Sequence, residues 1–101
     1  MAVIRRQSKP QREWPMLVEA LAAELRSPKK GHPILVIEEP VRGVPRFQTT
    51  VVWARWADVP TEDRAGVILD AYEQALGAEK MLQVSLALGL TPTEAKRLGI
   101  K

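Results

Sequence analysis

The 101-residue sequence contains no cysteine and only one histidine, His32. Without cysteine the chain forms no disulfide, offers no thiolate nucleophile and cannot hold zinc or an iron–sulfur cluster through sulfur. One histidine is too few for a self-contained transition-metal site, so any metal would need ligands from a partner. We therefore expect no metal ion and no other cofactor.

Long apolar segments are also missing. No apolar run approaches the length of a membrane-spanning helix, about 18 residues, and the first nine residues lack the apolar core of a signal peptide. We therefore expect a cytoplasmic protein that does not associate with a membrane. The length and the hydrophobic fraction of 46% are those of one globular domain.

Recognisable catalytic motifs are lacking as well. Ser8 and Ser85 stand in no nucleophile motif, and Gly31 and Gly43 belong to no phosphate-binding glycine fingerprint. His32 could serve as a general base, but a solvated loop histidine is the favoured interpretation because no partner group is evident beside it. We predict that the chain is not an enzyme.

Acidic side chains are absent from the first 12 residues, although the whole chain has 12 Asp or Glu residues against 15 Lys or Arg residues. This pattern predicts a flexible basic arm over residues 1–13, followed by one domain over residues 14–101. Charge alone would let the arm and a later basic loop bind nucleic acid without sequence specificity. The predicted contacts are Arg5, Arg6, Lys9, Arg12, Lys29 and Lys30. A solubilising tail that touches nothing specific is the alternative.

Apolar periodicity and turn residues predict most of the secondary structure. Helices are expected over residues 15–27 and 61–76, with Thr61 as the cap of the second, and a strand over 46–56 pairs antiparallel with a short strand over 34–37. We expect the two helices to cover one face of the sheet. Near the C-terminus, Thr91-Pro92-Thr93-Glu94 matches a capping box and predicts a short helix.

The segment 79–90 decides the fold. Alternating leucines predict a strand that is buried on its leucine face, which gives a small α+β domain in the order helix, strand, strand, helix, strand, helix. The same residues are also good helix formers. If they are helical, residues 79–98 fit a helix-turn-helix, with Lys96 and Arg97 on the helix that would read DNA.

The predicted order and several residues resemble the BolA family, whose fold is related to the class II KH arrangement. The residues that carry the resemblance are Phe47, Arg55, Trp56, Arg64, Val67, Ile68, Leu76, Thr91 and Glu94. The resemblance implies an iron–sulfur cluster shared with monothiol glutaredoxins through histidines and a loop cysteine or histidine. Here Ala65 stands where an Arg-His pair is expected, and neither the last strand nor residues 40–45 offer a ligand. No Gly-x-x-Gly loop for a KH-type RNA grip is present.

The three tryptophans point to protein contacts. Trp14 and Trp53 are expected in the core, whereas Trp56, at the predicted strand end beside Arg55, is the candidate exposed anchor for a partner. An unpaired sheet edge offers a further way to bind a partner strand. We therefore predict a binding or adaptor module that pairs with itself as a homodimer or with a protein partner, and nonspecific nucleic-acid binding is the alternative function.

Overall fold

The computed structural model describes residues 14–27 and 34–100 of the chain. Helix α1, Pro15–Arg26, has Pro15 in its first turn, where the missing N–H costs no intrahelical hydrogen bond. Leu17, Leu21 and Ala22 are its buried apolar residues, as the apolar spacing predicts. The helix ends at Ser27, whose N–H donates to the Ala23 carbonyl.

A three-stranded sheet forms the second layer. Strand β1, Leu35–Pro40, pairs antiparallel with β2, Phe47–Val52, and β2 pairs parallel with β3, Val84–Leu90, so β2 is the central strand. The antiparallel pair is confirmed. The predicted end of the first strand at residue 37 is wrong, because Glu38 and Glu39 continue the ladder opposite Thr49 and Gln48.

The connection from β2 to β3 contains three helical segments. It contains a 3-10 helix, Ala54–Asp58, followed by α2, Thr61–Leu76, and α3, Ala78–Leu82. The predicted extension of the second strand to Trp56 is wrong, because the chain leaves the ladder at Trp53 and turns into the 3-10 helix. Thr61 does not cap α2; Pro60 occupies that position, without a side-chain hydrogen bond. Gly77 ends α2 with a φ of 96°, a conformation that favours glycine.

The ambiguous segment divides into two elements. Residues 78–82 form a one-turn helix, and the strand begins only at Val84. The prediction of a strand is therefore correct for residues 84–90 and wrong for 79–83. The helix-turn-helix is also wrong, since Val84 pairs with Phe47 and the pairing continues to Leu90 opposite Val52.

Helices α1 and α2 cover one face of the sheet, as predicted, and together enclose the core. Leu21, Ile68 and Tyr72 from the helices pack with Phe47 and Val51 from β2. After β3 the predicted capping box is present at Thr91 and Glu94, and it begins α4, Pro92–Arg97. The result is a small α+β domain. No helix among these described residues is long and apolar enough to cross a membrane.

Candidate interaction surface

The sheet has one covered face and one open face. On β2, alternate residues Phe47, Thr49 and Val51 point to the helices and are buried. The residues between them face the other way, and the strand pairing places Leu86 beside Gln48 and Leu88 beside Thr50 on that side. We call the surface formed by Leu35, Ile37, Gln48, Thr50, Leu86 and Leu88 the open face.

Leucines dominate the open face and remain accessible. Leu86 is 52% exposed, Leu35 is 43% exposed and Leu88 is 36% exposed. Helix α4 covers only the end of this face, where Ala95 and Ile100 pack on Val52 and Leu90. A surface of large apolar side chains at regular strand spacing is typical of a contact site in a small protein.

The exposure of these leucines corrects an expectation from sequence, namely that the leucine face of the last strand is buried. A register shift between Phe47 and Gln48 sets Val84 and Ala87 against the core and turns Leu86 outward. Gly89 explains why small residues take the inner side. A Cβ atom there would lie 2.9 Å from Trp56 Cε2 and 3.0 Å from Arg64 Cβ, too close for any larger side chain.

The two edges of the sheet differ in their protection against pairing with another strand. β1 carries Glu38 and Glu39 and ends at Pro40, which are features that discourage edge pairing. β3 has the sequence Val-Ser-Leu-Ala-Leu-Gly-Leu, without a charge or a proline. Among the described residues no strand pairs with β3 on the side away from β2. The β3 edge is therefore the one suited to bind a strand.

A buried arginine fixes the end of β3. Arg64 Nη1 donates to the Gly89 carbonyl at 3.1 Å and to Glu94 Oε1 at 2.9 Å. Its Nε donates to the Val59 carbonyl at 3.0 Å, and Nη2 donates to the Trp56 carbonyl at 2.8 Å. One guanidinium thus ties α2 to the 3-10 helix, to β3 and to α4. Such charge-assisted bonds are stronger than neutral ones and replace the water lost on burial.

Glu94 completes this network. Its carboxylate accepts the Thr91 N–H at 2.9 Å, and its own N–H donates to Thr91 Oγ1 at 3.2 Å. The Thr91 backbone bond, helped by the Arg64 guanidinium, lowers the pKa of Glu94 below its usual value of 4.5. The carboxylate is therefore ionised at neutral pH and holds both Arg64 and the start of α4.

The prediction that Trp56 is an exposed anchor is wrong. Its side chain is completely buried, and the indole Nε1 donates to the Val51 carbonyl at 3.0 Å. Trp53 lies against it, with an edge-on ring contact at 5.3 Å between centroids. Arg55, by contrast, is exposed, and its guanidinium lies 5.5 Å from the centroid of the Trp53 ring. Of the predicted pair, only Arg55 is accessible to a partner.

Tyr72 forms the second polar cluster of the core. Its hydroxyl donates to Glu38 Oε2 at 2.5 Å and lies 2.9 Å from Thr49 Oγ1. Burial and the bond to Glu38 raise the pKa of Tyr72 above its usual range, so the phenol stays protonated. The cluster therefore joins α2 to β1 and β2 and supplies no nucleophile.

The remaining predicted site residues lie outside the described part of the chain. These are His32 and the six predicted nucleic-acid contacts Arg5, Arg6, Lys9, Arg12, Lys29 and Lys30, together with the rest of the predicted arm over residues 1–13. Within residues 14–27 and 34–100, no group of three or more metal-ligating side chains could hold a metal ion. Nonspecific binding of nucleic acid stays a prediction.

A comparison of the chain with protein-family models, curated proteins and solved structures finds no match. The features of the described residues that bear on function are the open face, the β3 edge and the surface charges.

Proposed function

We propose that the chain is a non-enzymatic binding module that acts through protein contacts and pairs with a second copy of itself through β3. The observation that carries the proposal is the combination of an uncharged edge strand with exposed leucines on its outward face. An edge of this kind pairs readily with another strand unless charge, proline or a covering element prevents it.

A second copy suits this edge because the same uncharged strand is present on each chain and can pair with its counterpart across a twofold axis. Two β3 strands in antiparallel register would form a six-stranded sheet across a twofold axis, with the same patch contributed by each copy. Leu86 and Leu88 of both copies would then form one apolar cluster beside the axis. Arg64 already binds the Gly89 carbonyl, so the pairing would involve the strand before Gly89.

The mass of the purified protein in solution tests the proposal. Sedimentation or light scattering over a wide concentration range should show a dimer for the natural chain. Leu86→Lys and Leu88→Lys should give monomers, because a charge on each copy would be buried at the axis. Leu82→Lys is the matched control: Leu82 is 66% exposed but lies on α3, away from the open face.

Two results would contradict the pairing. One is a strict monomer for the natural chain at every concentration. The other is a dimer that Leu86→Lys and Leu88→Lys leave unchanged while both variants stay folded by circular dichroism.

The proposal includes a fold like that of the BolA family, but it does not include the function of that family. The order of helices and strands supports this fold, and Arg64, Trp56, Thr91 and Glu94, which carry the resemblance, have the structural contacts described above. The residues do not fit an iron–sulfur cluster, since Ala65 is partly buried in α2 and β3 contains no histidine. The proposed function therefore includes no cluster transfer.

A further inference from the structure

A groove of about 860 Å³ lies between α1 and α2, on the helical side of the domain. Its apolar lining includes Met16, Val18 and Val67, and Met16 is 73% exposed. Gly66 adds open space, because a Cβ atom there would meet nothing within 4 Å. The groove therefore has apolar and accessible lining along α2, and it contains no residue of β3.

Carboxylates line this groove, and none of the described lysines or arginines does. The five carboxylates are Glu19, Glu62, Asp63, Asp70 and Glu73. Asp63 also accepts the Trp14 indole N–H at 3.2 Å, at the end of the groove where α1 begins. Burial, and after it the charge of the neighbouring Glu73, raises the pKa of Asp70 above its usual value. A cation in the groove would be attracted by these five carboxylates.

The sequence has cations shortly before Trp14, a residue that lines this groove. Residues 1–12 contain Arg5, Arg6, Lys9 and Arg12 and no carboxylate, and Trp14, two residues further on, lines the groove. The groove extends along α2 from Glu62 to Gln74, a helical distance of about 18 Å. Twelve residues can span up to about 40 Å, so the segment is long enough to follow the groove to its far end.

We propose that the acidic groove between α1 and α2 binds the chain's own basic segment, residues 5–12. The tether acts through effective concentration: a short linked segment meets its site at millimolar levels, so modest ion pairs suffice for occupancy. These four cations are among the six that the sequence predicts to contact nucleic acid. Docking therefore competes with phosphate binding and goes beyond the proposed pairing through β3.

The test uses a fluorescent peptide with the sequence of residues 1–12 and the full-length chain. In the receptor variant, Arg5, Arg6, Lys9 and Arg12 are replaced by glutamine, so its own segment no longer competes. Fluorescence anisotropy should show that the peptide binds this variant at least about fivefold more tightly than it binds the natural chain. Adding Asp70→Lys to the variant should weaken binding about tenfold, because one attraction becomes a repulsion inside the groove.

Two further variants separate docking from general charge and from misfolding. Glu79→Lys makes the same change of charge on α3, outside the groove, and should alter the affinity less than about twofold at moderate salt. Gly66→Phe fills the groove without changing charge and should weaken binding as Asp70→Lys does. Light scattering should show the same oligomeric state for these variants as for the natural chain, because none of the substitutions lies on β3. Failure of the docking and failure of β3 pairing are therefore distinguishable.

Three outcomes would overturn the docking proposal. In the first, the glutamine variant does not bind the peptide. In the second, Glu79→Lys weakens binding as much as Asp70→Lys. In the third, the natural chain and the glutamine variant bind equally well, which would assign the groove to a basic segment of another protein.

Discussion

The two faces of the sheet have opposite characters. On the covered side, the side chains of Trp56, Tyr72 and Arg64 are buried. Each of them donates a hydrogen bond to a residue of another element or of a connecting segment. The open face presents Leu86 and Leu88 in regular order, and no helix within residues 14–27 and 34–100 covers them. The covered side is thus held together by apolar packing and by polar contacts between distant elements, whereas the open face consists of apolar side chains that remain accessible.

The same contrast applies to the two edges. β1 ends in Glu38, Glu39 and Pro40, and β3 carries neither charge nor proline. An unprotected edge beside exposed leucines would promote aggregation of a monomer, whereas a chain that forms dimers through that edge would bury it. Substitutions on the covered side should therefore change stability, and substitutions on the open side should change association.

Arg64→Met should have the largest effect on stability. It removes the partner of three backbone carbonyls and of Glu94. Breaking a buried charged network by removing one member costs about 3–5 kcal/mol in the free energy of unfolding. Urea denaturation followed by circular dichroism measures the change. Arg55→Met, at an exposed position nearby, should change stability by less than about 0.5 kcal/mol, and equal effects would refute the distinction.

Gly89→Ala should come next, because the added methyl group overlaps Trp56 and Arg64. Overpacking of this kind costs about 1–3 kcal/mol. The matched control is Gly66→Ala, where a Cβ atom meets no neighbour within 4 Å and the helix gains about 0.5–1 kcal/mol from the loss of glycine. The two midpoints of urea unfolding should thus move in opposite directions, and a common direction would be inconsistent with the close approach at Gly89.

Glu94→Gln should reduce the dependence of stability on pH. The folded-state pKa of Glu94 lies below its unfolded value of about 4.5, so its contribution is present above that value and is lost as pH falls through the folded pKa. The natural chain should therefore lose more stability than the variant between neutral pH and pH values below 4.5. Parallel curves from thermal unfolding at a series of pH values would show that Glu94 contributes nothing to this slope.

Leu86→Lys should have the smallest effect on the stability of the monomer, within about 0.5 kcal/mol, since the side chain is 52% exposed. Its effect should appear in the mass in solution. Unfolding should be compared at low protein concentration, where association does not contribute to the midpoint. A large loss of stability there would mean that Leu86 belongs to the fold of the single chain.

Much of the covered face could be predicted from the sequence, because it follows from local patterns. Trp53 was expected in the core and is buried there, and Thr91 with Glu94 identified the capping box. Trp56 could not be placed by alternation. Its position depends on bonds to Val51 and Arg64 that no local pattern contains.

The open face could be predicted only in part. The alternating leucines correctly indicated a strand over residues 84–90, and Leu90 is buried as expected, but the burial of Leu86 and Leu88 was assigned wrongly. The missing information was the space beneath β3, which Trp56 and Arg64 fill so closely that only Gly89 fits between them. Alternation gives two faces and does not say which of them meets the helices.

Amide hydrogen exchange of the natural chain, measured by mass spectrometry at low and high protein concentration, tests pairing through β3 most directly. Pairing should slow the exchange of β3 amides as concentration rises, because new main-chain hydrogen bonds form at that edge. Amides of β1 should exchange at the same rate at both concentrations. Exchange in β3 that does not depend on concentration, or protection that appears in β1 instead, would contradict the account.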